Sequence, residues 1–297
     1  MDVLDTKGAT RREALVGSAS LLAAAFAASA PESAVAQPAS RPNIIFIISD
    51  DHGWKDVGYR GSDIKTPNID KLAATGARLE QHYALPMCTP TRAALMTGRY
   101  PMRYGLQSGV IPGAGSYSLA MDEYLLPQLL REAGYRTVMS GKWHLGHAKK
   151  DFWPHRRGFD SFYGCVVGEI DHFKRAAHGV PDWFRDDKAI VEEGFDNTLF
   201  GQEAVKQIKA HDTSKPLFLY LAFTAPHTPF QAPQAYLDRY ASISDPNRRA
   251  YAAMISVMDD EIGNVLAALD EKRMRDNTLI VFQSDNGGVK SAAYAGD

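Results

Sequence analysis

The chain of 297 residues is 45% hydrophobic, 23% charged and 10% aromatic, and its 33 basic and 35 acidic side chains leave a net charge of −2. That balance excludes a disordered, collagenous or coiled-coil chain, and at roughly 100–200 residues per domain it allows one large α/β domain or two small ones. It also supplies no bulk field for nucleic acid, so any bound anion has to be held by a few placed groups.

Residues 1–36 carry an export pattern. Arg11-Arg12 precede an apolar, Ala-rich run from Ala14 to Ala30, and Ala34-Val35-Ala36 offers small residues for cleavage before Gln37. The paired arginines resemble a twin-arginine leader, while Ala14 stands where that leader has Phe or Leu, so general secretion stays open. The run is short and weakly apolar for spanning about 30 Å of hydrocarbon. No stable membrane insertion is expected, and the mature chain is expected to be exported, periplasmic or extracellular, after passing the export machinery.

Gln37 to Pro42 is a Pro/Ser linker, and the expected catalytic portion runs from Asn43 to Asp297. Asn43 to Ser49 is a continuous β-branched run, the pattern of a strand covered on both faces. Similar runs occupy Arg136 to Ser140, Pro216 to Phe223 and Asn277 to Gln283. Helical patterns lie between them. Asn68 reads as the cap of a helix from Ile69 to Thr75, and Asp122 as the opening of one that runs to Ala133. The longest spans Arg248 to about Leu269. Strands alternating with helices predict a mostly parallel central sheet with helices on both faces. Lys149 to Asp196 lacks periodicity and reads as a long excursion over the sheet edge that carries substrate contacts.

Chemistry-bearing residues gather just past the predicted strands, where sheets of this class bind ligands. Asp50-Asp51-His52 follows the first strand and Asp285-Asn286 the last. Three carboxylates and an amide oxygen form a hard-oxygen set suited to Ca²⁺ or Mg²⁺ rather than zinc. Cys88, two residues before Pro90, sits at a helix N-terminus, where the dipole would depress a thiol pKa. Lys142, His144 and His147 end the second strand, and His227 follows the third. Their convergence favours a catalytic site for an anionic ester over four unrelated caps. A single disulfide between Cys88 and Cys165 is the alternative reading of the two cysteines.

The run Cys88-x-Pro90-x-Arg92 continuing to Thr97-Gly98 resembles the signature of the formylglycine-dependent type I sulfatases, and Gly134 to His144 resembles that family's second signature. Gly53-Trp54-Lys55-Asp56-Val57-Gly58 is similar to the arylsulfatase B-like branch. The likeness covers Pro42 to Gly288. It implies an alkaline-phosphatase-like fold and hydrolysis of aryl or carbohydrate sulfate esters. Asp50, Asp51, Asp285 and Asn286 would bind one calcium ion together with residue 88, and a formylglycine-generating enzyme would oxidise Cys88. In such sulfatases one hydroxyl of the aldehyde hydrate attacks sulfur and the second releases sulfate by elimination. By the same resemblance Arg92 holds the formylglycine, Lys142 and His227 bind sulfate oxygens or the leaving group, His144 exchanges the nucleophile's proton, and His227 is the candidate leaving-group acid. Conversion of Cys88 implies that no disulfide forms.

The pattern is incomplete in two places. Such sulfatases carry a further lysine after the Asp-Asn pair and then a smaller C-terminal domain; Lys290 is too close to that pair to replace the lysine, so the chain reads as truncated. His52 replaces a residue often Leu or Gln in relatives and reads as lining the pocket. A phosphodiesterase or phosphonate hydrolase, and an inactive truncated protein that only binds metal or sulfated glycan, remain alternatives.

Overall fold

The computed structural model describes residues 41–288. The export pattern, most of the linker and Lys290 lie outside the described residues. In chain order the main elements are β1 (Asn43–Ser49), α1 (Pro67–Thr75), α2 (Cys88–Thr97), α3 (Leu126–Glu132), β2 (Arg136–Lys142), β3 (Ser161–Cys165), the two-residue strands β4 to β7 (Ala176–Ala177, Val180–Pro181, Phe184–Arg185, Lys188–Ala189), α4 (Asp196–Lys209), β8 (Leu217–Ala222), α5 (Gln234–Arg239), α6 (Pro246–Glu271) and β9 (Thr278–Ser284). Seven of the strands form one sheet in the order β7-β6-β3-β2-β8-β1-β9. The five from β3 to β9 in that order are parallel, and β6 and β7 add an antiparallel edge.

Period-two alternation along a strand covered on both sides divides the core. Leu217, Leu219 and Leu221 of β8 face one cluster with Phe200 of α4 and Met254, Val257 and Met258 of α6. Phe218, Tyr220 and Ala222 face the other, with Ala93 and Met96 of α2. The mostly parallel sheet with helices on both faces is therefore the fold this chain forms.

Three local readings are corrected. Asn68 does not cap α1, which begins at Pro67. The Asp259 carboxylate on α6 accepts the Asn68 and Ile69 N–H groups at 3.0 and 2.8 Å, so a remote side chain supplies the cap. Asp122 does not open α3, which starts at Leu126. There the Leu125 N–H is satisfied by Gln128 Oε1 at 2.8 Å and Pro127 occupies the first turn. The stretch Lys149 to Asp196 is only partly an excursion, because it contains β3, paired with β2 from Val138↔Ser161 to Lys142↔Cys165. Five residues with a glycine among them carry too little periodicity to read as a strand. That glycine, Gly164, lies opposite Gly141, whose own Cβ would fall 1.8 Å from the Ala222 carbonyl oxygen. Only glycine lets β2 lie this close to β8 one residue before Lys142.

Candidate active site at the strand ends

The four adjacent strands β2, β8, β1 and β9 end on one side of the sheet, and each delivers part of the site. At the end of β1, Asp51 adopts φ +62°, a left-handed turn that brings the Asp50 and Asp51 carboxylates round to one point instead of opposite faces. The Asp50 N–H donates to the Ala225 carbonyl and the Asp285 N–H to the Ser49 carbonyl, both at 3.0 Å, which ties the ends of β1, β8 and β9 together. The Asp51 N–H donates to Asp285 Oδ1 at 3.2 Å, and Asn286 Nδ2 donates to Asp51 Oδ1 at 2.5 Å.

Cys88 opens α2, buried, and its Sγ donates to Asp50 Oδ1 at 3.2 Å. Donor atoms of Asp50, Asp51, Cys88 and His227 all lie within 4.8 Å of one another. His227 Nε2 stands 3.7 Å from Asp51 Oδ2, while its Nδ1 donates to the Thr228 carbonyl at 2.7 Å. The Asn286 Oδ1 atom is buried with no hydrogen-bond partner. Three buried carboxylates and one orphaned amide oxygen fit a hard divalent cation.

Two fully buried cations face this oxygen cluster. Lys142 Nζ pairs directly with Asp50 Oδ2. Arg92 donates from Nε to Asp285 Oδ2 at 3.0 Å and from Nη1 to the Lys142 carbonyl at 3.1 Å, and its Nη2 lies 3.7 Å from Asp50 Oδ1. Burial alone would raise the Asp50 carboxyl, but the charges of Lys142, His227 and Arg92 outweigh it and hold it far below the usual range. The Asp285 carboxyl is pushed up to about 7 by burial and by Asp50 beside it.

His144 adopts φ +59° and is buried, its Nε2 donating to the Ile111 carbonyl at 3.0 Å, which leaves Nδ1 buried without a hydrogen-bond partner. Burial, reinforced by Lys142 and Arg92, drives its pKa well down, so the ring is a neutral acceptor. His147 is not brought to the cluster; its Nε2 bonds the Gly113 carbonyl at 3.0 Å.

Two expectations fail here. The Cys88 thiol is not made acidic by the helix N-terminus: burial, followed by the Asp50 charge, pushes its pKa well above the ordinary value. His52 does not line the pocket. It is buried, with its backbone N–H on Ser284 Oγ at 3.0 Å, its Nε2 on the Asp56 carbonyl at 2.8 Å, and its ring edge-on to Phe282. Cys88 and Cys165 are both free and buried. Sequence reasoning also missed Tyr251 on α6, whose hydroxyl accepts from Gly53 N–H at 2.9 Å and meets Asp56 Oδ2 at 3.0 Å, bracing the turn after Asp51. Its polar role depends on the Gly53 and Asp56 partners that folding brings to it, and nothing in the local sequence signals it.

A sequence model of the Sulfatase family matches residues 42–295. Arylsulfatase J of Mus musculus is 46% identical over 261 residues, covering 85% of this chain and 44% of that protein. N-acetylgalactosamine-6-sulfatase of Homo sapiens is 35% identical over 275 residues, with 85% and 51% covered. The crystal structure of Ps i-CgsB in complex with k-i-k-neocarrahexaose is similar with a TM-score of 0.80 and 36% identity, covering 86% of this chain and 60% of that one. The chain spans about half the length of the curated relatives it matches.

Proposed function

The chain belongs to the Sulfatase family, with its alkaline-phosphatase-like fold, and on that premise we propose that it hydrolyses aryl or carbohydrate sulfate esters. The observation that carries this reading is the meeting of Cys88, Asp50, Asp51 and His227 within 4.8 Å, opposite two buried cations. A sulfate ester is an anion whose charge shifts to the leaving oxygen during cleavage, and placed cations in a desolvated site stabilise that shift.

Asp50, Asp51, Asp285 and Asn286 are the residues that would hold a calcium ion, with residue 88 beside them. When bound, the ion polarises sulfate oxygens, and formylglycine at position 88 supplies the attacking hydroxyl. Burial and the Asp50 charge raise the Cys88 thiol pKa, and an un-ionised thiol is a poor nucleophile, so the unmodified cysteine is not the attacking group in this reading. Lys142 would take a sulfate oxygen, drawing on a charge already held beside Asp50. His144, neutral and with Nδ1 unpartnered, can accept the proton of a reacting hydroxyl. His227 is oriented by the Thr228 carbonyl so that Nε2 faces the cluster, the position for a leaving-group acid. The hydrogen bonds of Arg92 run to Asp285 and to the Lys142 carbonyl, so we assign it to fixing the floor of the site under residue 88.

The reading extends to an export leader over 1–36, a linker over 37–42, a catalytic portion from 43 to 297, activation by a formylglycine-generating enzyme, and work outside the cytoplasm. Among the described residues no helix is long and apolar enough to cross a membrane. Sulfated glycans are the substrate class to test first, because Ps i-CgsB is crystallised with neocarrahexaose. The test is to co-express the protein with a formylglycine-generating enzyme, follow the Cys88 peptide by mass spectrometry, and compare a sulfated glycan and an aryl sulfate with an aryl phosphodiester. Conversion of Cys88 with sulfate release that Cys88→Ala abolishes is expected. An unmodified thiol without sulfate release, or faster phosphodiester turnover, overturns the reading.

A further inference from the structure

The loop that carries His227 is held from behind by residues that the chemistry above does not use. Asn197, in the first turn of α4, accepts the Thr224 and Ala225 N–H groups on Oδ1 at 3.1 and 2.9 Å. His172 is buried, 1% exposed, and its Nε2 lies 3.0 Å from the carbonyl oxygen of His227. Its Nδ1 lies 2.9 Å from Asp196 Oδ2. A carbonyl and a carboxylate both accept, so the His172 ring donates from both nitrogens. Asp196 is built for this arrangement: Thr224 Oγ1 donates to its Oδ2 at 2.6 Å, and the Asn197 N–H and Nδ2 donate to its Oδ1 at 2.6 and 2.7 Å.

We propose that the His172–Asp196 pair is a positioning device for the reaction, locking the backbone of His227 so that its ring meets the Asp51 side of the site. The inference deepens the proposed function and rests on it for the role of His227. Three connections fix the geometry in sequence. Asp196 sets the plane of the His172 ring, His172 pins the His227 carbonyl, and the Ala225 carbonyl two residues earlier accepts the Asp50 N–H. Asp196 and Asn197 therefore anchor the loop at both its start and its catalytic residue. A buried charged donor bonded to a single backbone carbonyl holds it more firmly than a neutral one. A histidine serving the core alone would satisfy its nitrogens without reaching across to a loop at the site.

The test compares His172→Phe, which removes the donors and keeps the ring volume, with His172→Gln, which keeps an amide donor for the His227 carbonyl. Hydrogen exchange at the Thr224, Ala225 and His227 amides and at Asp50 is the first readout. Steady-state hydrolysis of an aryl sulfate by the formylglycine-loaded protein is the second. Faster exchange and a kcat lowered about 10–100-fold with KM little changed are expected for Phe, with recovery of both in Gln. Unchanged exchange in the Phe variant, or kcat and KM falling together without recovery in Gln, overturns the proposal. If the Phe variant does not fold, Asp196→Asn takes its place, with faster loop exchange expected and unchanged exchange overturning. If the wild-type protein hydrolyses no sulfate ester, the functional reading fails, and hydrogen exchange alone then decides the positioning role.

Discussion

Arg92 Nη2 lies 2.9 Å from Asp285 Oδ2, and neither side chain exposes any surface to solvent. The pair crosses from α2 to the end of β9, so it joins the helix that carries residue 88 to the strand end that carries Asp285 and Asn286, two of the four oxygen-bearing residues. Removing one partner of a buried pair costs far more than the pair contributes net, because the other charge stays desolvated. Arg92→Ala is expected to lower unfolding free energy by about 3–5 kcal/mol, and Arg92→Lys by less, since lysine keeps the charge and loses the fork. Urea denaturation of the three proteins checks both the size and the order.

The cluster of Asp50, Asp51, Asp285 and Asn286 predicts stabilisation by a hard dication. Calcium at about 100 times its dissociation constant is expected to add about 2.7 kcal/mol of stability, visible as a rise in Tm that a chelator reverses. Asp51→Asn should weaken the response, and Mg²⁺ should give a smaller one. Thermal melts across a calcium titration measure it, and a Tm indifferent to calcium in the wild-type protein would count against the metal site.

Gly168 lies against the His144 ring, so a Cβ there would fall 2.2 Å from Cε1 and 2.3 Å from Nε2. The ring is already held by the Nε2 hydrogen bond to the Ile111 carbonyl at 3.0 Å, which a shift would break. Gly168→Ala is expected to cost about 1–3 kcal/mol through overpacking and to lower kcat on an aryl sulfate by about 100-fold through displacement of His144. A variant with wild-type kcat would remove His144 from the proton-transfer role.

Asp182 gives a pH signature away from the cation cluster. Burial raises its carboxyl from an ordinary 3.8 to about 6, although it accepts the Val166 and Val167 N–H groups. The folded protein therefore binds this proton more tightly than the unfolded chain does. Its cost is absent below about 3.8, grows as pH rises to about 6 and stays constant above. Asp182→Asn keeps an acceptor oxygen and loses the titration. Its stability relative to wild type is expected to improve by an amount on the order of 2–3 kcal/mol between pH 4 and pH 7, as measured by denaturation across that range.

Much of this protein was determined by the sequence alone. The β-branched and aromatic apolar runs of β1 and β8, bounded by turn formers, read as strands covered on both faces, and helices between parallel strands leave the carboxyl ends as the place for a site. Asp50-Asp51, Cys88 with Pro90 and Arg92, Lys142, His144, His227 and Asp285-Asn286 were therefore legible as a set, because each directly follows or opens a predicted element. Tertiary structure decided what depends on partners far along the chain. β3 became a strand because Gly164 could lie against Gly141, and Asp259, 191 residues from Asn68, supplied the cap that a local reading gave to Asn68 itself. The helix N-terminus suggested an acidic thiol at Cys88, yet desolvation and the Asp50 charge reverse the sign, and neither is visible before the chain is folded. His52, Tyr251 and His172 show the same division, since a lone polar residue acquires its role only from the groups that folding sets against it. Periodicity is a local property of the chain, whereas burial, pairing and the resulting electrostatics are set by contacts between residues distant in sequence.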